Sequence, residues 1–260
     1  MSGDQRTPQQ SSLQRRSAAR TAVVWDALRD VLTRAGQEAG DGSGTAQVVD
    51  IGGGTGGLAV RAAELGHRVT VVDPSPDALA ILGRRAAESG VADRVTAQQG
   101  DLGTLPDLVP AGGADVVLCH GVLEIVDDVP AALAAIAGVL RPGGVLSLLV
   151  NQRHAAVITR AMAGHFGQAR ALLDQEAGSG SGSGSGRRFT ADEIATVLDA
   201  AGFDTEAMHA VRVFVDLVPS SLVDLEPGAA ERLVELEQAV ADRPEYLPLA
   251  TQVHALAVRR

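Results

Sequence analysis

At 260 residues with 45% hydrophobic content, the chain is long enough for one domain with a sizeable core and some appendages. All 22 basic residues are arginine, which removes a P-loop lysine and a Schiff-base lysine, while a net charge of −10 and 2% aromatic residues disfavour extended nucleic-acid binding through charge or stacking. Cys119 stands alone, the six histidines never pair at metal-ligand spacing, and no run of about 18 apolar residues or apolar signal region appears, so a cytoplasmic protein without disulfide, metal or membrane span is expected.

In chain order, residues 1–17 are polar and read as a disordered tail, followed by a helix over TAVVWDALRDVLTRA. From there, strands and helices alternate. The strands are AQVVDI, RVTVVD, RVTAQ, ADVVLCH and VLSLLV, and the helices between them are 57–66, one started by Ser75–Pro76, and VPAALAAIAGVL. Continuous apolar strands alternating with helices predict a Rossmann-like α/β fold, a doubly wound sheet covered on both faces. A substrate-side insertion is expected over about 151–190, helical over HAAVITRAMAGHFGQARALL and containing a Gly–Ser linker at 178–186. Thr190 and Glu193 then make a capping box for the helix ADEIATVLDAAGF. Two late strands, near HAVRVFVDL and VHALAVR, complete seven, the last of them antiparallel, with a helix over PGAAERLVELEQAVADRPEY between them. The folded domain therefore spans 18–260.

The segment VVDIGGGTGG, followed by the strand ending at Asp73, has the form of a nucleotide cradle. Gly52, Gly53 and Gly54 let backbone approach a ligand, and the helix behind them offers unpaired N–H groups. Asp73, at the tip of the second strand, sits where two ribose hydroxyls can donate to it. The glycine spacing also fits a dinucleotide. Asp50, however, stands inside the turn, where a carboxylate repels a pyrophosphate and suits the ammonium of an amino acid. S-adenosylmethionine carries that ammonium and no phosphate. Asp101, just after the third strand, is placed to accept from an adenine amine, and LRPGGVLSLLV turns into the fifth strand. Together these resemble the class I S-adenosylmethionine-dependent methyltransferases.

Over residues 20–260 the chain further resembles the bacterial tRNA 5-carboxymethoxyuridine methyltransferases, which esterify a wobble-uridine carboxylate. The segments that carry this are ARTAVVWDALRDVL, VVDIGGGTGG, CHGVLEIVDD, LRPGGVLSLLVNQRHAAVITRAMAGHFGQA, VRVFVDL and RPEYLPLATQVHALAVR. The resemblance implies that Arg20 binds the cofactor carboxylate and that Gly52, Gly53 and Asp73 contact its methionine and ribose. It adds Leu102 and His120 as further cofactor contacts. His154, Arg212 and Tyr246 match positions near the substrate. Two features depart from the family: QQSSLQRRSAA lacks its aromatic and glycine residues, and the Gly–Ser repeat with only Arg187–Arg188 replaces a basic run before the FTADE helix.

A carboxylate acceptor is ionised at neutral pH, so its methylation needs orientation and desolvation rather than a base. A phenol or amine acceptor would favour a base, for which His120, His154 and Glu124 are candidates. Arg212 suits a substrate carboxylate by guanidinium geometry. The acceptor thus stays open between tRNA and a small-molecule carboxylate or phenol, the latter methylated by an O- or N-methyltransferase on the same scaffold. If tRNA is the acceptor, Arg15, Arg16, Arg187 and Arg188 should gather at the cleft.

Overall fold

The apolar runs form one seven-stranded sheet in the computed structural model, which describes residues 8–38, 43–173, 186–226 and 228–260. Its strands are β1 (Gln47–Ile51), β2 (Arg68–Asp73), β3 (Val95–Gln99), β4 (Ala114–His120), β5 (Leu140–Asn151), β6 (Phe203–Val211) and β7 (Gln252–Arg259). They lie in the order β3-β2-β1-β4-β5-β7-β6, and β7 runs antiparallel to both β5 and β6. The carboxyl ends of β1 to β6 consequently share one edge of the sheet, where ligands of such folds bind.

Helices α1 (Pro8–Glu38), α2 (Gly57–Glu64) and α3 (Pro76–Glu88) precede the short α4 (Leu105–Leu108), and α5 (Val129–Val139) leads into β5. Beyond β5 come α6 (Arg153–Met162), α7 (Phe166–Leu173), α8 (Ala191–Ala200), α9 (Ser220–Leu225) and α10 (Ala229–Ala241), then a 3-10 turn at Pro244–Leu249. One apolar layer packs Leu28, Val31 and Leu32 of α1 with Ala59 and Ala63 of α2 over Val48, Val69 and Leu118. The opposite layer packs Leu133 and Ile136 of α5 with Ile194 and Leu198 of α8 over Val49, Val117 and Ala255. Side-chain caps set the helix starts: Ser75 Oγ accepts from Ala78 N, Asp128 Oδ1 from Ala131 N, and Thr190 and Glu193 close a full capping box.

Three sequence expectations differ from this structure. The first concerns the tail expected over residues 1–17, which is helical from Pro8; its Gln, Leu, Arg and Ala residues are good helix formers that extend α1. Residues 1–7 lie outside the described residues. Second, β5 begins at Leu140 rather than Val145, because Leu140 already pairs with Ala114 before the register shifts at Val116. Third, the sixth strand ends at Val211, where Arg212 takes a positive φ of 61° and breaks the extended run that VRVFVDL suggested. The helical stretch expected over HAAVITRAMAGHFGQARALL is the packed helices α6 and α7, and residues 178–185 of the Gly–Ser linker lie outside the described residues. Arg153 Nη2, largely buried, donates to both Glu193 oxygens at 2.8 Å, so α6 is tied to the start of α8.

Candidate cofactor and acceptor site

Strand β1 ends in a turn whose shape depends on missing side chains. A Cβ at Gly53 would come within 2.5 Å of Asp50 Oδ2 and 2.9 Å of Val71, and Gly54 adopts φ 54°. Gly54 N donates to Asp73 Oδ2 and Ser75 N to Asp73 Oδ1, both at 2.9 Å. Each Asp73 oxygen therefore keeps an acceptor site for a ribose hydroxyl while the backbone holds the carboxylate still.

Asp50 is 4% exposed, and among the described residues no arginine pairs with it. Burial, and then the Asp73 charge, push its carboxyl from 3.8 up to about 7. A buried carboxylate with no cation of its own fits the ammonium of S-adenosylmethionine, and the Asp73 carboxylate fits its ribose. An ammonium pairs with the ionised form of a carboxylate, so with Asp50 as its partner proton loss from Asp50 would favour binding. Cofactor affinity is therefore expected to rise through about pH 7, by roughly tenfold between pH 6 and 8, and calorimetry on Asp50→Asn should give a flat profile.

Asp101 is exposed, and its Oδ1 accepts from Gly103 N at 2.9 Å and Thr104 N at 3.0 Å. That oxygen is committed to a local turn, which the sequence reading of an adenine contact did not foresee. Leu102 beside it is buried in the core. His120 ends β4, and its Nε2 lies 2.9 Å from Ser147 Oγ; burial lowers its pKa to about 4, so the ring is neutral. Cys119 is fully buried and its thiol is pushed up to about 12, a packing residue rather than a nucleophile.

Arg20 and Arg212 share one counter-ion. Arg20 Nη2 donates to Asp216 Oδ1 at 2.9 Å, and Arg212 Nε to Asp216 Oδ2 at 2.8 Å. Arg212 Nη1 reaches Gln252 Oε1 at 3.3 Å, and Gln252 Nε2 approaches Asn151 Oδ1 at 3.5 Å. These contacts run along the carboxyl edge from α1 to β5. Asp216 thus occupies the role expected for a cofactor carboxylate on Arg20 and a substrate carboxylate on Arg212. The sequence reading missed Asp216, because a lone aspartate after an apolar run carries no local signal.

Next to Asn151 lies a cavity of about 210 Å³, lined by Gln152, Thr159, Arg160, Arg188 and Thr251. The Arg188 pKa is lowered by burial and then by the like charge of Arg160. Glu124 sits beside this loop, with Oε1 accepting from Asn151 N at 2.8 Å and Oε2 buried with no hydrogen-bond partner among the described residues. Burial raises its pKa. Of the other expected residues, His154 is exposed with Nδ1 3.3 Å from Gln152 Nε2, and Tyr246 packs edge-on against Phe214, so neither lines the cavity. Arg187 Nη1 donates to Val126 O, and the side chains of Arg15 and Arg16 lie outside the described residues.

Residues 48–144 match the methyltransferase domain family. A solved S-adenosylmethionine-dependent methyltransferase from Mesorhizobium loti aligns with a TM-score of 0.56 and 21% identity, over 90% of this chain and 97% of that one. The [4+2]-cyclase SpnF aligns with a TM-score of 0.59 and 23% identity, over 90% and 80%. Both likenesses concern the fold. The sheet order, glycine turn and acid-tipped strands define an S-adenosylmethionine-dependent methyltransferase. More particularly, a tRNA 5-carboxymethoxyuridine methyltransferase of Escherichia coli O157:H7 is 30% identical over 242 residues, covering 92% of this chain and 87% of the relative. The chain belongs to that family. Among the described residues no helix is long and apolar enough to cross a membrane, and no group of three His, Cys, Asp or Glu side chains is placed to hold a metal.

Proposed function

We propose that the chain binds S-adenosylmethionine through Asp50, Gly52, Gly53, Gly54, Asp73, Asp101, Leu102 and His120, and methylates a carboxylate on wobble carboxymethoxyuridine of tRNA. Arg20 faces the cofactor's amino-acid end and exchanges Asp216 for its carboxylate. The observation that carries the acceptor class is the cavity beside Asn151, which both Arg160 and Arg188 line. An anionic group held there is attracted by both guanidiniums and accepts charge-assisted hydrogen bonds. The name of the relative supports the same acceptor, and a cavity of about 210 Å³ suits a single flipped base.

The cofactor supplies a methyl group already activated as a sulfonium. The protein's part is to hold the acceptor carboxylate in line and to exclude water. Neutral His120 and protonation-prone Glu124 are not required as bases, since the acceptor is ionised at neutral pH. Glu124 instead pins the end of β5 and the 186–188 segment, with Arg187 N donating to Glu124 O at 2.9 Å.

The test incubates purified enzyme and labelled cofactor with tRNA bearing carboxymethoxyuridine. Label should enter the tRNA, with a steep fall as salt rises. Transfer instead to a small carboxylic acid or phenol, with none to tRNA, would assign the small-molecule reading. Arg188→Ala should lower kcat/KM about 10- to 100-fold, the loss of one charge-assisted bond, while cofactor affinity measured by calorimetry stays unchanged.

A further inference from the structure

Three histidines stand in one line across the sheet. His120 of β4 is paired with Leu149 of β5, Leu149 with His254 of β7, and His254 with His209 of β6. Ser147 Oγ bridges the first two rings, 2.9 Å from His120 Nε2 and 2.8 Å from His254 Nε2. His254 Nδ1 meets His209 Nδ1 at 3.2 Å, and His209 Nε2 faces the exposed Asp242 Oδ1 at 3.4 Å. Ser147 and His254 are fully buried, with no exposed surface. The row therefore links the end of β4 at the cofactor site to the protein surface beside α10.

The contacts leave little freedom for the protons. Burial lowers the pKa of all three imidazoles, so each is neutral and carries a single N–H. An ionised Asp242 only accepts, which places the His209 proton on Nε2 and makes Nδ1 an acceptor. His254 must then donate from Nδ1 and accept at Nε2, from the Ser147 hydroxyl. Ser147 oxygen in turn accepts from His120 Nε2–H. The reverse orientation satisfies the three inner contacts equally, but it sets a His209 lone pair against the carboxylate. Asp242 therefore breaks the tie.

We propose that Ser147, His254 and His209, oriented by Asp242, are positioning residues that hold His120 as the Nε2–H tautomer and present its Nδ1 lone pair to an N–H donor of the cofactor. The choice of cofactor as the partner rests on the placement of His120 proposed above. The tautomer itself does not. With Nδ1 protonated instead, two donors would face each other and that contact would be lost, so apparent affinity scales with the fraction of the acceptor tautomer.

Long-range proton–nitrogen correlation spectra of the full chain labelled with ¹⁵N-histidine give the tautomers directly, His120 being assigned by its disappearance in His120→Gln. In the parent protein without cofactor, Nε2 of His120 should carry the proton and Nδ1 should show the shift of an unprotonated nitrogen. Ser147→Ala, which removes only a buried hydroxyl, should populate the Nδ1–H form. S-adenosylhomocysteine affinity should fall by up to the inverse of the remaining Nε2–H fraction, about twofold if the two forms become equal. Asp242→Asn, an exposed change that leaves the core intact, should shift His120 in the same direction by less. A parent His120 protonated at Nδ1, or unchanged His120 shifts in Asp242→Asn together with a folded Ser147→Ala, overturns the proposal. Should Ser147→Ala fail to fold, unchanged shifts in Asp242→Asn alone overturn it. An altered tautomer with unaltered affinity overturns the cofactor as the partner of Nδ1, and leaves the methyltransferase reading intact.

Discussion

Asp73→Ala is expected to weaken S-adenosylmethionine binding by about two to four orders of magnitude. The carboxylate is 7% exposed and offers one acceptor site on each oxygen to a ribose hydroxyl, each bond to a charged group contributing roughly 1.5–3 kcal/mol. The same side chain holds Gly54 N and Ser75 N, so its removal also frees the glycine turn and the start of α3. Asp73→Asn separates these effects, since an amide retains one oxygen acceptor for the backbone while losing the charge. Calorimetry with S-adenosylhomocysteine reads both variants. Unchanged affinity in Asp73→Ala, with the fold verified by its thermal transition, would remove Asp73 from the cofactor site.

The features that sequence alone revealed are those whose causes lie within a few residues. Asp50, the glycine turn and Asp73 share one strand-turn-helix-strand unit, and the Thr190–Glu193 box spans a single helical turn. The misread strand at Val213–Val215 has a different origin. Its alternation is real, with Val213 and Val215 both buried, but its N–H groups bond to Glu237, 22 to 24 residues downstream. Periodicity reports which side is buried and carries nothing about which acceptor wins the backbone. The histidine row was equally hidden. His120, His209 and His254 become neighbours only through strand order and register, which set them side by side across β4, β5, β7 and β6. Arg20 entered through the family resemblance and Arg212 as a carboxylate-binding candidate, whereas the Asp216 that joins them was not legible, because its bond to Arg20 spans 196 residues and leaves no local pattern.

Glu237→Ala should produce the largest loss of stability, about 3–6 kcal/mol in urea unfolding. Glu237 has no exposed surface, and its carboxylate accepts from Val213 N at 2.9 Å, Phe214 N at 2.8 Å and Val215 N at 2.7 Å. Successive N–H groups converging after a left-handed residue, here Arg212 at φ 61°, form an anion-binding concavity that the helix α10 fills with its own side chain. Truncation leaves three donors to find new partners, at roughly 1–3 kcal/mol for each one that stays buried. That loss is comparable with the whole stability of many domains, so Glu237→Ala should unfold well below the parent's midpoint. Glu237→Gln keeps a carbonyl oxygen in place and should lose less. Its functional effect follows from geometry: the segment that Glu237 anchors carries Arg212 and Asp216, and Asp216 holds Arg20. Glu237→Gln is therefore expected to weaken cofactor binding without touching the cofactor, in proportion to how far the 212–216 turn loosens in hydrogen exchange. A Glu237→Ala protein with the parent's urea midpoint would show that this carboxylate does not hold the turn.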